Sequence, residues 1–313
     1  MPLAHTPSVA DYRATSPETG EANELDPFTP NPDPSSMTKL LSEDAVAAYQ
    51  RDGYHFPVDI LSEAETRALR DKLEAHERDS GGPINGDRRH KPHLYLTFLN
   101  DLIRHPRILD AVEDVLGPNL LVWSTSFFIK EPDNAGFVSW HQDATYWGLS
   151  SPDVMTVWVA FTPANLLNGC MMFMPGSHKQ QLEHVDTFDK NNLLSRGQEI
   201  AVKVDESKGV AVALNPGQAS LHHVLLAHGS APNKSDDRRI GFAIRYIPTH
   251  VKQAVGAKDS ATLVRGVDTF NYFEHEPRPT GDCTPDALAL HAAIVGRQVQ
   301  VLYRGTGQEH FRP

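Results

Sequence analysis

The residues best suited to chemistry crowd into a few short stretches. The first is SWHQDATYWGL, residues 139–149, where His141 and Asp143 stand two apart. In an extended strand alternate side chains share a face, so an imidazole and a carboxylate would point into one cavity. Such a pair offers two ligands to a divalent metal. Two ligands seldom hold an open-shell metal alone, and a third is expected from a distant strand. SLHHVLLAHGSAPN, residues 220–233, supplies the candidates His222, His223 and His228. Read as one apolar strand ending at Gly229-Ser230, it would set His228 at the mouth of a barrel. His222 has the same strand parity as His228, so spacing leaves the two tied. Two His and one carboxylate form the facial triad of non-haem Fe(II) oxygenases, which leaves positions open for a chelating co-substrate and for O2.

An anionic co-substrate needs a fixed cation. Arg239 lies eleven residues beyond His228 and falls in RRIGFAIRYI, residues 238–247. A guanidinium makes planar, bidentate, charge-assisted bonds to a carboxylate that Lys cannot reproduce. Arg238 is adjacent and would point to the other face, so if one enters the cavity the other is expected to face solvent.

These side chains need elements to position them. Ser42 before Glu43-Asp44 and AVAAYQ reads as a capped helix. Ser62 with Glu65 forms a capping box for a second helix running to about His76. Pro106 opens a third, with Ile108, Leu109, Val112, Val115 and Leu116 on one face and Gly117-Pro118 as its stop. From residue 119 the pattern turns to strands: NLLVWSTSFFIK, VMTVWVAFT, CMMFM, ASLHHVLLAH and IGFAIRYI. Asn168-Gly169 signals a hairpin between two of them. The run QVQVLYRG, residues 298–305, is read as a last strand. Helices first and strands afterwards predict a mainly β sandwich or barrel with flanking helices.

Residues 1–37 carry seven prolines among polar residues and are expected to form a flexible tail. Residues 38–313 are expected to form one domain, with a lid drawn from the loop 180–200 and the Pro-rich stretch around 250–292. Lys plus Arg is 29 and Asp plus Glu 40, a net charge of −11, which argues against a nucleic-acid partner. No apolar run approaches the ~20 residues of a membrane span, and the N-terminus lacks the apolar core of a secretory signal. Only Cys170 and Cys283 occur, which excludes a disulfide scaffold and fits a cytoplasmic location. A small polar or amphipathic metabolite is the expected partner; oligomeric state is not legible.

Taken in order, LIRHPRILDAVEDVLGPNLL, KEPDNAGFVSWHQDATYW, NGCMMFMPGSHK and HHVLLAHGSAPNKSDDRR resemble the phytanoyl-CoA dioxygenase family of Fe(II)/2-oxoglutarate-dependent oxygenases, over roughly residues 42–250. The resemblance implies a double-stranded β-helix, the jelly roll of cupin-like proteins. It implies His141, Asp143 and His228 as metal ligands and catalytic centre, which breaks the tie with His222. It assigns Arg239 to 2-oxoglutarate, with Ser230 assisting, and makes Ser124 and Ser126 candidates to reach the same co-substrate. Gln142, Tyr146 and Trp147 become candidate substrate contacts. Lys91 and His93 fall where some relatives carry a further pocket residue. The implied cofactors are Fe(II), 2-oxoglutarate as co-substrate and O2, with succinate and CO2 released as a C–H bond is oxidised. Relatives that halogenate have Ala or Gly in place of the carboxylate; Asp143 is present here and favours hydroxylation.

Plainer readings stand beside these. Trp123, Trp140 and Trp158 read as core, His222 and His223 as supporting residues, His178 as a turn residue and Cys170 as a small buried hydrophobe. Arg245 and Arg265 are simplest as solvated cations, although an anionic substrate could use either. A divalent-metal hydrolase or isomerase with the same His/Asp/His pocket is the alternative enzyme, and a non-catalytic binding protein is the other rival. The former has no need of a dicarboxylate clamp at Arg239 and Ser230, and the intact triad argues against the latter.

Overall fold

Ser42 accepts the backbone N–H of Ala45 and opens α1 (Glu43–Asp52), with Glu43 and Asp44 at its positive end. The computed structural model describes residues 38–201 and 204–311; the expected tail at 1–37 lies outside the described residues. After β1 (Tyr54–Asp59), the Ser62–Glu65 capping box starts α2 (Glu63–Asp79). The short α3 (Thr97–Leu102) leads to α4 (Pro106–Leu116), which Gly117 ends. Strands then follow: β2 (Leu120–Lys130), β3 (Val138–His141), β4 (Met155–Ala160), β5 (Met171–Phe173), β6 (His184–Asp186) and β7 (Gln198–Ile200). They continue with β8 (Val210–Ala211), β9 (Gln218–His223), β10 (His228–Ser230), β11 (Arg239–Pro248), β12 (Ser260–Arg265) and β13 (Glu274–His275), before α5 (Pro285–Leu302).

The large sheet has the order β1-β9-β4-β11-β2-β12-β13, and a four-stranded sheet has the order β3-β10-β5-β8. Along β11 the side chains alternate strictly. Ile240, Phe242, Ile244 and Tyr246 pack with Leu73 of α2, Leu99 of α3 and Ile108 and Val112 of α4. Fully burying an Ile or Phe contributes about 1.5–3 kcal/mol, so this face holds the helices to the sheet. The opposite face turns toward the small sheet: Ala243 and Trp158 share a cluster with Met171 and Phe173. Two facing antiparallel sheets with helices on the outside of the larger make a double-stranded β-helix, or jelly roll. Among the described residues no helix is long and apolar enough to cross a membrane.

Gly241 lies on that inner face between Arg239 and Arg245. A Cβ built there would stand 1.7 Å from the Trp158 ring, so the indole lies directly on the glycine. Gly241→Ala is therefore expected to destabilise the fold by about 1–3 kcal/mol, as overpacking does. Urea unfolding reads this, and an unchanged midpoint would refute the close packing.

The structure corrects four expectations. SLHHVLLAH is not one strand: His223 O accepts Leu226 N–H at 2.8 Å in a turn, and β9 and β10 enter different sheets. Asn168-Gly169 makes no hairpin, because β4 and β5 also lie in different sheets and the connection crosses between them. Gly169 is needed for another reason. It holds φ +69°, and a Cβ there would lie 2.0 Å from Ala231 O. QVQVLYRG is not a strand; residues 298–302 finish α5, which Thr284 caps and Pro285 opens, with Ile294, Val295, Gln298 and Val299 buried at helical spacing. Finally, β1 went unforeseen. Pro57 interrupts it, which an edge strand tolerates, and β1 is the edge strand of the large sheet.

Candidate active site

His141 closes β3 and is paired across the ladder with His228, the first residue of β10. Their ring centroids are 4.1 Å apart. Gln142 keeps extended dihedrals, so alternation carries past the strand end and Asp143, at the head of a 3-10 turn, returns to the same side. One ligand atom from each of His141, Asp143 and His228 lies within 4.8 Å of the others, and all three residues are buried. His222 is outside this group, although its ring centroid is 4.9 Å from that of His228.

Backbone carbonyls set the tautomers. His141 Nδ1 lies 2.9 Å from Ser139 O and 3.1 Å from His228 O, and His228 Nδ1 lies 2.9 Å from Leu226 O. A carbonyl only accepts, so each Nδ1 carries the proton and each Nε2 presents a lone pair. Burial, reinforced by His141, pushes the His228 imidazole down to about 4. Burial alone would raise Asp143, but its neighbours His141, His228 and Arg245 hold its carboxyl well below the usual range. Neutral imidazoles and an ionised carboxylate are the forms that ligate a metal.

A cavity of about 410 Å³ opens between the sheets beside these three residues. Four residues that line it each carry a buried polar atom with no partner among the described residues: Thr156 Oγ1, His222 Nδ1, Arg239 Nε and Arg245 Nε. An unsatisfied buried polar group costs roughly 1–3 kcal/mol, so their concentration marks a space shaped for a polar occupant. Arg239 is 1% exposed, donates to Gly169 O at 2.7 Å, and lies 5.3 Å above the Trp158 ring. Beside it Lys130 Nζ donates to Ser230 Oγ at 2.6 Å and to Ala231 O. Burial, then Arg239, pushes the Lys130 ammonium down to about 6, and burial pushes Arg239 down to about 10. Among the described residues no carboxylate pairs with either cation. A three-residue donor cluster at one end and the buried Arg239 guanidinium at the other fit Fe(II) with a dicarboxylate.

A larger space of about 770 Å³, partly open to solvent, adjoins the first and shares Phe128, Asp143 and Arg245 with it. Ser124, Ser126, Tyr146 and Trp147 line this larger space, not the one that holds Arg239 and Ser230. A register shift in the β2–β11 ladder leaves Trp123 out of the pairing, which lets Trp123 and its neighbour Ser124 both face the space. Ser126 Oγ accepts from Arg245 Nη1 at 2.8 Å. Tyr146 donates to Asp186 at 2.6 Å, and Trp147 packs on Trp123 with ring centroids 5.0 Å apart.

Other expected site residues lie elsewhere. Gln142 alternates away from His141 and Asp143. Its side chain is spent on Leu225 O at 2.6 Å, Gln180 O at 2.8 Å and Leu182 N at 2.7 Å, so it ties down a loop and lines neither space. Lys91 and His93 are buried around Glu276 and also line neither space. Arg265 pairs with Asp110 and Glu113 on the outside, and Arg238 with Glu77 and Glu131. Trp123 and Trp158 are buried in core clusters, as expected, and also line the two spaces. Arg245, expected to be solvated, is buried on the shared wall. Its signal was available: Arg239, Gly241, Ala243 and Arg245 have one parity in β11. Lys130 shares parity with Ser126 and Phe128 and could have been found in the same way. Of the stretch 250–292, Gln253 and Asp259 reach the larger space, while its other walls include Leu193 to Ser195, Gln298 and Phe311.

The profile of the family described as Phytanoyl-CoA dioxygenase (PhyH) matches residues 49–241, more than half of the chain. A probable alpha-ketoglutarate-dependent hypophosphite dioxygenase of Stutzerimonas stutzeri is 32% identical over 158 residues, 50% of this chain and 54% of that protein. The chain thus spans about half the length of the curated relatives it matches. Among solved structures, the non-heme monooxygenase ThoJ in its apo form is 37% identical with a TM-score of 0.74, covering 83% of this chain and 98% of that one. CytC3 with Fe(II) and alpha-ketoglutarate is 28% identical with a TM-score of 0.57, covering 74% and 92%.

Proposed function

The chain belongs to the phytanoyl-CoA dioxygenase family, and from that premise we propose that it is an Fe(II)- and 2-oxoglutarate-dependent dioxygenase. It would hydroxylate a C–H bond of a small-molecule metabolite and release succinate and CO2. One observation carries the reading: the His141, Asp143 and His228 donors share a cavity with a buried, unpaired Arg239. Bound Fe(II) supplies the activation of O2 that couples 2-oxoglutarate decarboxylation to C–H oxidation.

The chain's own residues do the rest. His141, Asp143 and His228 hold the metal, kept in the ligating tautomers by Ser139, His228 and Leu226 carbonyls. Arg239 anchors the far carboxylate of 2-oxoglutarate, and Lys130 holds the Ser230 hydroxyl beside it. The facing sheets exclude water from this end, and the larger space admits the substrate, meeting the centre at Asp143. A hydrolytic metal site would have no use for the unpaired guanidinium.

Arg239→Gln tests the reading. It removes the charge and the planar fork, so the Michaelis constant for 2-oxoglutarate should rise by roughly 10–100-fold while metal affinity holds. Arg239→Lys should recover only part of the loss. Calorimetric titration of 2-oxoglutarate and succinate release read both; unchanged 2-oxoglutarate binding in Arg239→Gln would overturn the assignment.

A further inference from the structure

Arg245 is a buried cation that the anchoring of 2-oxoglutarate does not require. It is 6% exposed and stands where the two spaces meet. Nη1 donates to Ser126 Oγ, while Nε donates to nothing among the described residues. The rings of Trp147 and Phe128 flank the guanidinium at 5.5 and 5.8 Å, which fixes its plane without satisfying it. Asp143 acts on it through space, with no hydrogen bond between them.

A second residue that lines the same larger space, Gln253, carries a polar atom with no partner among the described residues. Gln253 Nε2 lies 3.0 Å from Trp147 O, 3.2 Å from Gly148 O and 3.1 Å from Val255 O. All three partners only accept, so the amide cannot be flipped, and Gln253 Oε1 is left buried without a donor. Asp259 on the same wall is already engaged by Trp123 Nε1 at 2.8 Å and Gln298 Nε2 at 3.1 Å. Trp123, Trp147 and Phe311, the last stacked on His90 at 3.7 Å, give the space flat apolar walls.

Building on the oxygenase reading, we infer that the substrate is an aromatic carboxylate bearing an N–H or O–H donor, in the manner of an aromatic amino or hydroxy acid, with its carboxylate on Arg245. The guanidinium takes the carboxylate, Gln253 Oε1 takes the donor, and the aromatic walls take the ring. Each unsatisfied atom then has a partner, and the carboxylate fixes the body of the molecule beside the metal ligands.

The probe is 3-phenyllactate, compared with 3-phenyllactamide and 3-phenylpropionate, titrated into the full chain loaded with Ni(II) and 2-oxoglutarate. Calorimetry and quenching of Trp123 and Trp147 fluorescence read binding without turnover. Phenyllactate should bind saturably, and the amide at least about tenfold more weakly, for loss of one charge-assisted contact. Phenylpropionate, which lacks the donor, should fall between them. Arg245→Gln should erase the preference for acid over amide and leave 2-oxoglutarate affinity unmoved. Equal binding of acid and amide by the wild type, or no saturable binding of the acid at millimolar concentration, would overturn the inference without recourse to a variant. So would an Arg245→Gln chain that loses 2-oxoglutarate instead of phenyllactate. Failure of the wild type to bind 2-oxoglutarate at all would instead strike the oxygenase reading.

Discussion

Asp143→Ala is expected to abolish succinate formation and to weaken divalent-metal binding by more than about 100-fold. The scale follows from the second shell: losing a group that merely orients a ligand costs 10–100-fold, and Asp143 is placed as a ligand itself. Its removal leaves two neutral imidazoles, His141 and His228, with no anion to balance a dication. It also deletes the one carboxylate among the described residues that acts on Arg245. The effect should be chemical and not structural. His141 Nδ1 and His228 Nδ1 are held by backbone carbonyls, none of which depends on Asp143. Far-UV circular dichroism of the metal-free variant should therefore match the wild type, while Ni(II) calorimetry shows the loss. Wild-type metal affinity in Asp143→Ala would remove Asp143 from the centre and with it the three-ligand assignment.

The His141-Asp143 relation was legible because it is local: extended dihedrals through Gln142 are enough to set both on one side. The same alternation turns the Gln142 side chain away from both spaces. His228 was legible only through the resemblance, since the parity argument assumed one strand where the chain makes two. What brings His228 to His141 is strand pairing in the small sheet, and a single sequence does not encode register in any short pattern. The alternation of β11 and β2 also carries the signal for a buried Arg245, read as solvated, and for Lys130, which was not singled out. The walls of the larger space were the least legible. Leu193, Gln253, Gln298 and Phe311 come from four separated segments, each with an ordinary local composition, and α5 was hidden by a β-branched run at its end. The helices α1, α2 and α4 were read well, because Ser42, the Ser62–Glu65 box, Pro106 and Gly117 act through contacts within a turn or two.

Glu276→Ala is expected to be the most destabilising of these substitutions, at about 3–5 kcal/mol, the usual cost of breaking a buried ion pair. The side chains of Lys91, His93 and Glu276 are all 0% exposed. Glu276 accepts from Lys91 Nζ, from Ser260 Oγ at 2.8 Å and from Thr262 Oγ1 at 2.6 Å. His93 reaches Thr125 Oγ1 at 2.8 Å, so the cluster ties the segment before α3 to β2 and β12. Removing the carboxylate strands the Lys91 ammonium in an apolar interior. Replacing both, as Lys91→Met with Glu276→Leu, should recover much of the loss, because no charge is then left unpaired. Acid supplies an independent reading. Burial would raise the Glu276 carboxyl, but Lys91 and His93 overcome it and hold it at about 2, against an ordinary 4.5. A depressed carboxyl stabilises the fold fully above its ordinary value and progressively less as pH falls from 4.5 toward 2. Urea unfolding across that window should show the wild type losing stability steeply and the double variant less so. Equal acid slopes would mean that the ion pair contributes nothing to stability. Thr125 sits between Ser124 and Ser126, and Ser260 follows Asp259. The cluster therefore pins, from behind, two walls of the larger space where the substrate is proposed to bind.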